Sequence, residues 1–65
     1  MQLIVNGEII QTNSSTIAQL LEELKITEKT MAAAINMEIV KKEAWSKTEL
    51  KEGDKIEFLQ FVGGG

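Results

Sequence analysis

Only one stretch of this chain has the spacing of an amphipathic helix, and that stretch limits what the rest can fold into. Ile17, Leu20, Leu21 and Leu24 fall at i, i+3, i+4 and i+7, one apolar stripe, with Glu22 and Glu23 turned away from it. Thr16 and Gln19 have capping-box spacing, in which the Thr hydroxyl and the Gln side chain satisfy backbone N–H groups left open at a helix start. The helix is expected over residues 17 to about 25. Its stripe must be buried, and nothing else in 65 residues can cover it except a β-sheet. Without cysteine or histidine, neither a disulfide nor the usual structural zinc ligands can replace packing. A chain this short buries only about 60% of the surface its unfolded form exposes. That leaves room for one thin core and none for a deep substrate cavity.

The strands that must supply this sheet are readable. The apolar, β-branched run Gln2-Leu3-Ile4-Val5 is followed by Asn6-Gly7 and then by Glu8-Ile9-Ile10-Gln11. Asn-Gly between two such runs signals a hairpin, because a type I′ turn requires positive φ at both central residues. Residues 12–15 form a polar loop into the helix. The run 31–36, Met-Ala-Ala-Ala-Ile-Asn, is rich in alanine, which favours helix. Its brevity and the closing Asn36 favour a buried strand of small residues under the helix. Glu38-Ile39-Val40 reads as a short strand. Residues 41–50 read as irregular or as a short helical turn anchored by Trp45 and Leu50. Glu52-Gly53-Asp54 is a turn opening the last strand, 55–61. The order β-β-α-β-β-β implies an α+β fold of the β-grasp, ubiquitin-like kind: a mixed sheet of four to five strands on one main helix. The first and last strands are the expected central pair. The domain is expected over residues 1–62, with 63–65 a flexible glycine tail leaving one end of the sheet.

Composition excludes several functions. The formal net charge is −3, every basic residue is lysine, and the largest basic cluster is Lys41-Lys42. Nucleic-acid binding would call for a basic stripe. A mildly acidic surface suits solubility, and equally a basic partner. The first residues, MQLIVNGEII, lack a positive n-region and a long apolar run, so neither a signal peptide nor a membrane span is expected. The absence of cysteine is compatible with a reducing compartment, and a cytoplasmic location is the expectation.

Catalytic chemistry is mostly missing. With no histidine, cysteine or tyrosine the chain lacks the usual nucleophile–base pairs. Glu22 and Glu23 could resemble acid–base machinery, but on an exposed helix face they read as solvated surface. No glycine-rich segment links a strand to a helix start, which argues against a phosphate cradle. An enzyme is not expected, nor a bound cofactor or metal. What remains is the ending Phe61-Val62-Gly63-Gly64-Gly65. It could be a linker remnant. It could also be a working end: a free α-carboxylate has a pKa of roughly 3.3–3.7 and is unreactive until another enzyme activates it, for instance as an acyl-adenylate. Glycines suit entry into a narrow active-site channel, having no Cβ and few backbone restrictions.

The last strand raises a second question. In residues 55–62 the alternation puts Ile56 and Phe58 on one side and Lys55 and Glu57 on the other. Continued, that register carries Leu59 and Phe61 to the polar side. In the first strand, Ile4 likewise points away if Leu3 and Val5 face the helix. Ile4, Leu59 and Phe61, with Val62 beside them, would then form an apolar docking patch next to the tail. A β-bulge near Leu59 would instead turn Leu59 and Phe61 inward. Two strands giving the same result favour the patch.

The segments Ala34-Ile35-Asn36, Glu38-Ile39-Val40, Trp45, Leu50, Gly53-Asp54-Lys55-Ile56-Glu57 and Phe61-Val62-Gly63-Gly64-Gly65 together resemble the ThiS family, the sulfur carriers of thiamine biosynthesis. The resemblance runs from the Asn6-Gly7 hairpin to the last residue. A terminal Gly-Gly alone is shared with ubiquitin and many relatives; the combination is more specific. The resemblance implies a protein co-substrate whose Gly65 carboxylate is adenylated by a ThiF-like adenylyltransferase using ATP. Sulfur from a cysteine desulfurase or another donor then converts it to a thiocarboxylate, which thiazole synthase consumes. Gly64 would supply the slim approach, and Gly63 is an extra glycine where some members carry another small residue. Such a carrier is expected to be monomeric on its own.

Three readings compete with it, one of them a passive interaction domain whose glycines are incidental. The small subunit of molybdopterin synthase shares the fold, the Gly-Gly end and the thiocarboxylate, but those chains usually run longer. A ubiquitin-like modifier would be joined to lysines of target proteins and would show covalent ladders in cells.

Overall fold

The fold is seen in a computed structural model, which describes residues 1–60. The Asn6-Gly7 pair has φ of 49° and 84°, the double positive φ of a two-residue hairpin turn. It joins β1 (Gln2–Val5) to β2 (Glu8–Gln11), with Val5 opposite Glu8 and Ile4 opposite Ile9. A second hairpin repeats the device. Asn36 and Met37, at φ 49° and 76°, join β3 (Thr30–Ile35) to β4 (Glu38–Val40), with Ile35 opposite Glu38. The alanine-rich run is thus a strand, shifted one residue from the expected 31–36. Asn36 belongs to the turn because its left-handed backbone cannot continue the pleat.

The last strand, β5 (Lys55–Gln60), lies in the middle of a five-stranded mixed sheet of order β2-β1-β5-β3-β4. It runs parallel to β1, with Val5 beside Ile56, and antiparallel to β3. The expected pairing of first and last strands is present, with β5 at the centre. Phe61, expected to close this strand, and the tail 63–65 lie outside the described residues.

One helix, α1 (Ile17–Leu24), crosses one face of this sheet. Its start accounts for each backbone N–H that the helix itself leaves open. Ile17 N–H donates to the Thr48 carbonyl at 3.2 Å and Ala18 N–H to the Trp45 carbonyl at 3.1 Å. Gln19 N–H donates to Thr16 Oγ1 at 3.2 Å. The Thr half of the expected capping box is therefore present. The Gln19 side chain reaches one residue further back than that box requires, its Oε1 accepting from the N–H and hydroxyl of Ser15, each at 2.8 Å. The helix ends at Leu24. Lys25 is left-handed at φ 60°, and the N–H groups of Lys25 and Ile26 return to the carbonyls of Glu22 and Leu21. That is a Schellman closure built on lysine where glycine is usual.

The stripe is buried as the spacing requires: Ile17, Leu20 and Leu21 have no exposed surface, and Leu24 packs at the margin. Against them stand Leu3 and Val5 of β1, Ile56 and Phe58 of β5, and Ala33 of β3. Each fully buried leucine or isoleucine adds roughly 1.5–3 kcal/mol over leaving it exposed. Ala33 is the buried alanine of β3, 1% exposed within this core. Trp45 and Leu50 close the core from the connection between β4 and β5, which includes a short 3₁₀ turn, Lys42–Ala44. That connection is bound to the helix start at both ends of the Trp45–Leu50 stretch, since Leu50 N–H also donates to the Ser15 carbonyl at 2.8 Å.

Candidate functional site

With α1 on one face, the other face of the sheet is open. The hairpin registers and the alternation of β5 decide what stands there. Ile4 is half-buried, and its partner Ile9 on β2 is 67% exposed. Leu59 is 61% exposed, opposite Ala32 of β3. Beyond Ala34 the edge strand presents Ile39, 75% exposed. Two apolar groups therefore stand on the open face, Ile4 with Ile9 on β1 and β2 and Leu59 with Ala32, Ala34 and Ile39 on β5, β3 and β4, with Lys55 and Glu57 between them. A shallow groove of about 360 Å³ runs between Leu59, Ala32 and Ala34 towards Ile39.

Leu59 settles one expectation. A bulge turning it inward is not found, because Ile56 and Phe58 are buried while Glu57 and Leu59 are exposed, an unbroken alternation. The register irregularity lies across the ladder, between Thr30 and Ala32 of β3, where Met31 is 57% exposed. Phe61 and Val62, placed in the same patch by the sequence, lie outside the described residues, as do Gly63, Gly64 and Gly65.

Ile9 and Ile39 were not singled out from sequence, although the signal was available. A two-residue turn pins register, so Asn6-Gly7 places Ile9 opposite Ile4, and Asn36-Met37 places Ile39 opposite Ala34. An outward Ile4 therefore already implied an outward Ile9.

Charge on this face is sparse and mixed. The perturbed carboxylate, Glu23, lies elsewhere, on α1 above the loop that follows β2. The Thr12 hydroxyl first, and the Ser14 hydroxyl at 2.7 Å second, hold its carboxyl below the usual 4.5, against a smaller opposing effect of desolvation. Thr12 and Ser14 are themselves buried. Both hydroxyls donate to one carboxylate oxygen, which fastens that loop to the helix. A second groove, about 420 Å³, lies at the opposite end of β5 from Gln60, lined by Asn36, Glu49 and Asp54 among others. Asn36 and Asp54 bond each other at 3.1 Å, so these polar groups stitch turns together. Among the described residues, no three acidic side chains converge to hold a metal ion.

A five-stranded mixed sheet folded over one helix, with its central strand leading to the chain end, defines a β-grasp domain. The sequence profile of the ThiS family matches residues 2–65, and the chain belongs to that family. Sulfur carrier protein ThiS from Escherichia coli (strain K12) is 35% identical over 66 residues, covering all of both chains. A protein named thiazole synthase from Paramagnetospirillum magneticum is 38% identical over 66 residues, and here the whole of this chain spans 20% of that one. Among solved structures, the crystal structure of a thiamine biosynthesis protein (ThiS) from Geobacter metallireducens superposes over all of both chains with a TM-score of 0.81, at 36% identity.

Proposed function

We propose that this protein is a sulfur carrier of thiamine biosynthesis whose working group is the Gly65 carboxylate. The observation that carries this reading is family membership extending through residue 65, with full-length similarity to a protein named as a sulfur carrier. The chemistry asks nothing of side chains. A carboxylate oxygen of Gly65 attacks the α-phosphorus of ATP on a ThiF-like adenylyltransferase, and pyrophosphate leaves. A sulfur nucleophile then attacks the acyl carbon, and AMP departs with the oxygen. Where the nucleophile is a persulfide from a cysteine desulfurase, a thiol must reduce the resulting acyl disulfide to release the thiocarboxylate. Thiazole synthase takes that sulfur, a partnership supported by the ThiS-like segment within a relative named thiazole synthase. On this reading the protein is a co-substrate and not an enzyme, and it works in the cytoplasm, where ATP is available.

The open sheet face is the proposed docking surface: Ile4 and Leu59, with Phe61 and Val62 continuing towards the tail. Gly63 and Gly64 act as the leash, since an unhindered carbonyl and a slender approach are what a narrow active-site channel admits. Incubation with ATP, a ThiF-like adenylyltransferase and a sulfur donor, followed by intact mass measurement, tests the reading. The expected gain equals replacement of one oxygen by sulfur, located on Gly65. No gain, under conditions that modify the E. coli carrier with its own enzymes, overturns it.

A further inference from the structure

Asn6 serves the first hairpin through its left-handed backbone, but its side chain has a separate partner. In the parallel ladder between β1 and β5, Ile4 N–H donates to the Asp54 carbonyl at 3.0 Å and Asn6 N–H to the Ile56 carbonyl at 2.9 Å. An evenly spaced parallel ladder would next join Phe58 N–H to the backbone carbonyl of Asn6. At φ 49° the chain is already turning towards Gly7. Phe58 N–H instead donates to Asn6 Oδ1 at 2.8 Å, so the side-chain amide stands in for the missing rung. Past Phe58, β5 is paired only with β3, through Leu59 on Ala32 and Gln60 on Thr30, and the β3 register is irregular between those two. The bond to Asn6 is the last tie on the β1 side before residues 61–65.

We propose that Asn6 is a positioning residue for the reactive chain end. By holding Phe58 N–H it fixes the β1 side of β5 at Phe58, while β3 holds the other side, and so sets how often the Gly65 carboxylate reaches the adenylating site productively. This role rests on the sulfur-carrier reading. Asparagine suits it because the residue must tolerate a left-handed backbone and also carry an acceptor; glycine meets the first need and aspartate meets both.

The test compares Asn6→Gly and Asn6→Asp with the unmodified chain, using ATP and a ThiF-like adenylyltransferase. In Asn6→Gly, kcat should fall about 10-fold through misalignment of the reacting group, and because Asn6 also lines the groove beside Leu59, any change in KM is read separately from this fall in kcat. Asn6→Asp should recover most of that loss. Exchange of the Phe58 amide hydrogen should quicken by about 10-fold in Asn6→Gly and slow again in Asn6→Asp, following the bond itself. Unchanged kcat or unchanged Phe58 exchange in Asn6→Gly overturns the proposal, as does a failed rescue by Asn6→Asp. A Phe58 amide that exchanges freely in the unmodified chain overturns it even if Asn6→Gly cannot fold. An unmodified chain that is never adenylated overturns the sulfur-carrier reading, and this role with it. One that is adenylated separates the two questions.

Discussion

Trp45 donates its indole N–H to the backbone carbonyl of Val40 at 3.0 Å, tying the 3₁₀ connection back to the end of β4. Trp45 is buried in the core and Val40 half-buried beside it, so this bond is partly shielded from water. Trp45→Phe keeps an aromatic ring but leaves that carbonyl without its donor. The variant should lose about 1–3 kcal/mol of stability, read from urea unfolding by far-ultraviolet circular dichroism. A loss near zero would mean that water replaces the indole without cost.

Two non-glycine residues hold left-handed backbone where glycine is the usual choice: Lys25 closing α1 and Met37 in the second hairpin. Met37 is 84% exposed, so it has little packing to lose. Met37→Gly should raise stability by about 0.5–1 kcal/mol, the relief of left-handed strain exceeding the extra entropy glycine gives the unfolded chain. Lys25→Gly should act in the same direction. Denaturant midpoints, with m-values unchanged, measure both.

Glu23 makes stability depend on acid. Its folded pKa is lowered by the Thr12 and Ser14 hydroxyls, so below the ordinary value of 4.5 the unfolded chain binds the proton more readily. The stabilisation is complete above that value and declines as pH falls through the lower folded pKa. Glu23→Gln should flatten this part of the stability profile below pH 4.5 and leave the slope above it unchanged. Thermal unfolding across that range, compared with the unmodified chain, is the measurement.

If the open face docks a partner as proposed, Leu59→Ala separates docking from folding. At 61% exposed, Leu59→Ala should cost under about 1 kcal/mol of stability. With a ThiF-like adenylyltransferase its KM should rise several-fold while kcat holds, because the tail is unaltered. Leu21→Ala supplies the contrast: fully buried, it should cost about 2–5 kcal/mol.

Much of this architecture was legible before folding because its signals are local. The 3.6-residue spacing of Ile17, Leu20, Leu21 and Leu24 marked the helix and its buried side, and Asn6-Gly7 marked a turn whose geometry few dipeptides meet. Where reading by residue type fell short, a longer-range contact decided the outcome. Met37 occupies a hairpin position that residue preference alone would assign to glycine, and it is held there by pairing between β3 and β4. Lys25 likewise ends a helix that its own propensity would extend, because the chain must turn there to bring Ile26 onto the core.

The candidate site divides the same way. Alternation within β1 and β5 was enough to turn Ile4 and Leu59 outward together, since side-chain period in a strand is a property of the backbone itself. The sequence alone also carried the family pattern and the glycine ending. Only the tertiary structure could show that Lys55 and Glu57 stand between the Ile4–Ile9 and Leu59–Ile39 groups, that the irregular register belongs to β3, and that Asn6 reaches Phe58. These facts depend on which strands become neighbours. That choice is made by burial of one helix stripe against one face of the sheet, an event that joins residues as many as 52 positions apart.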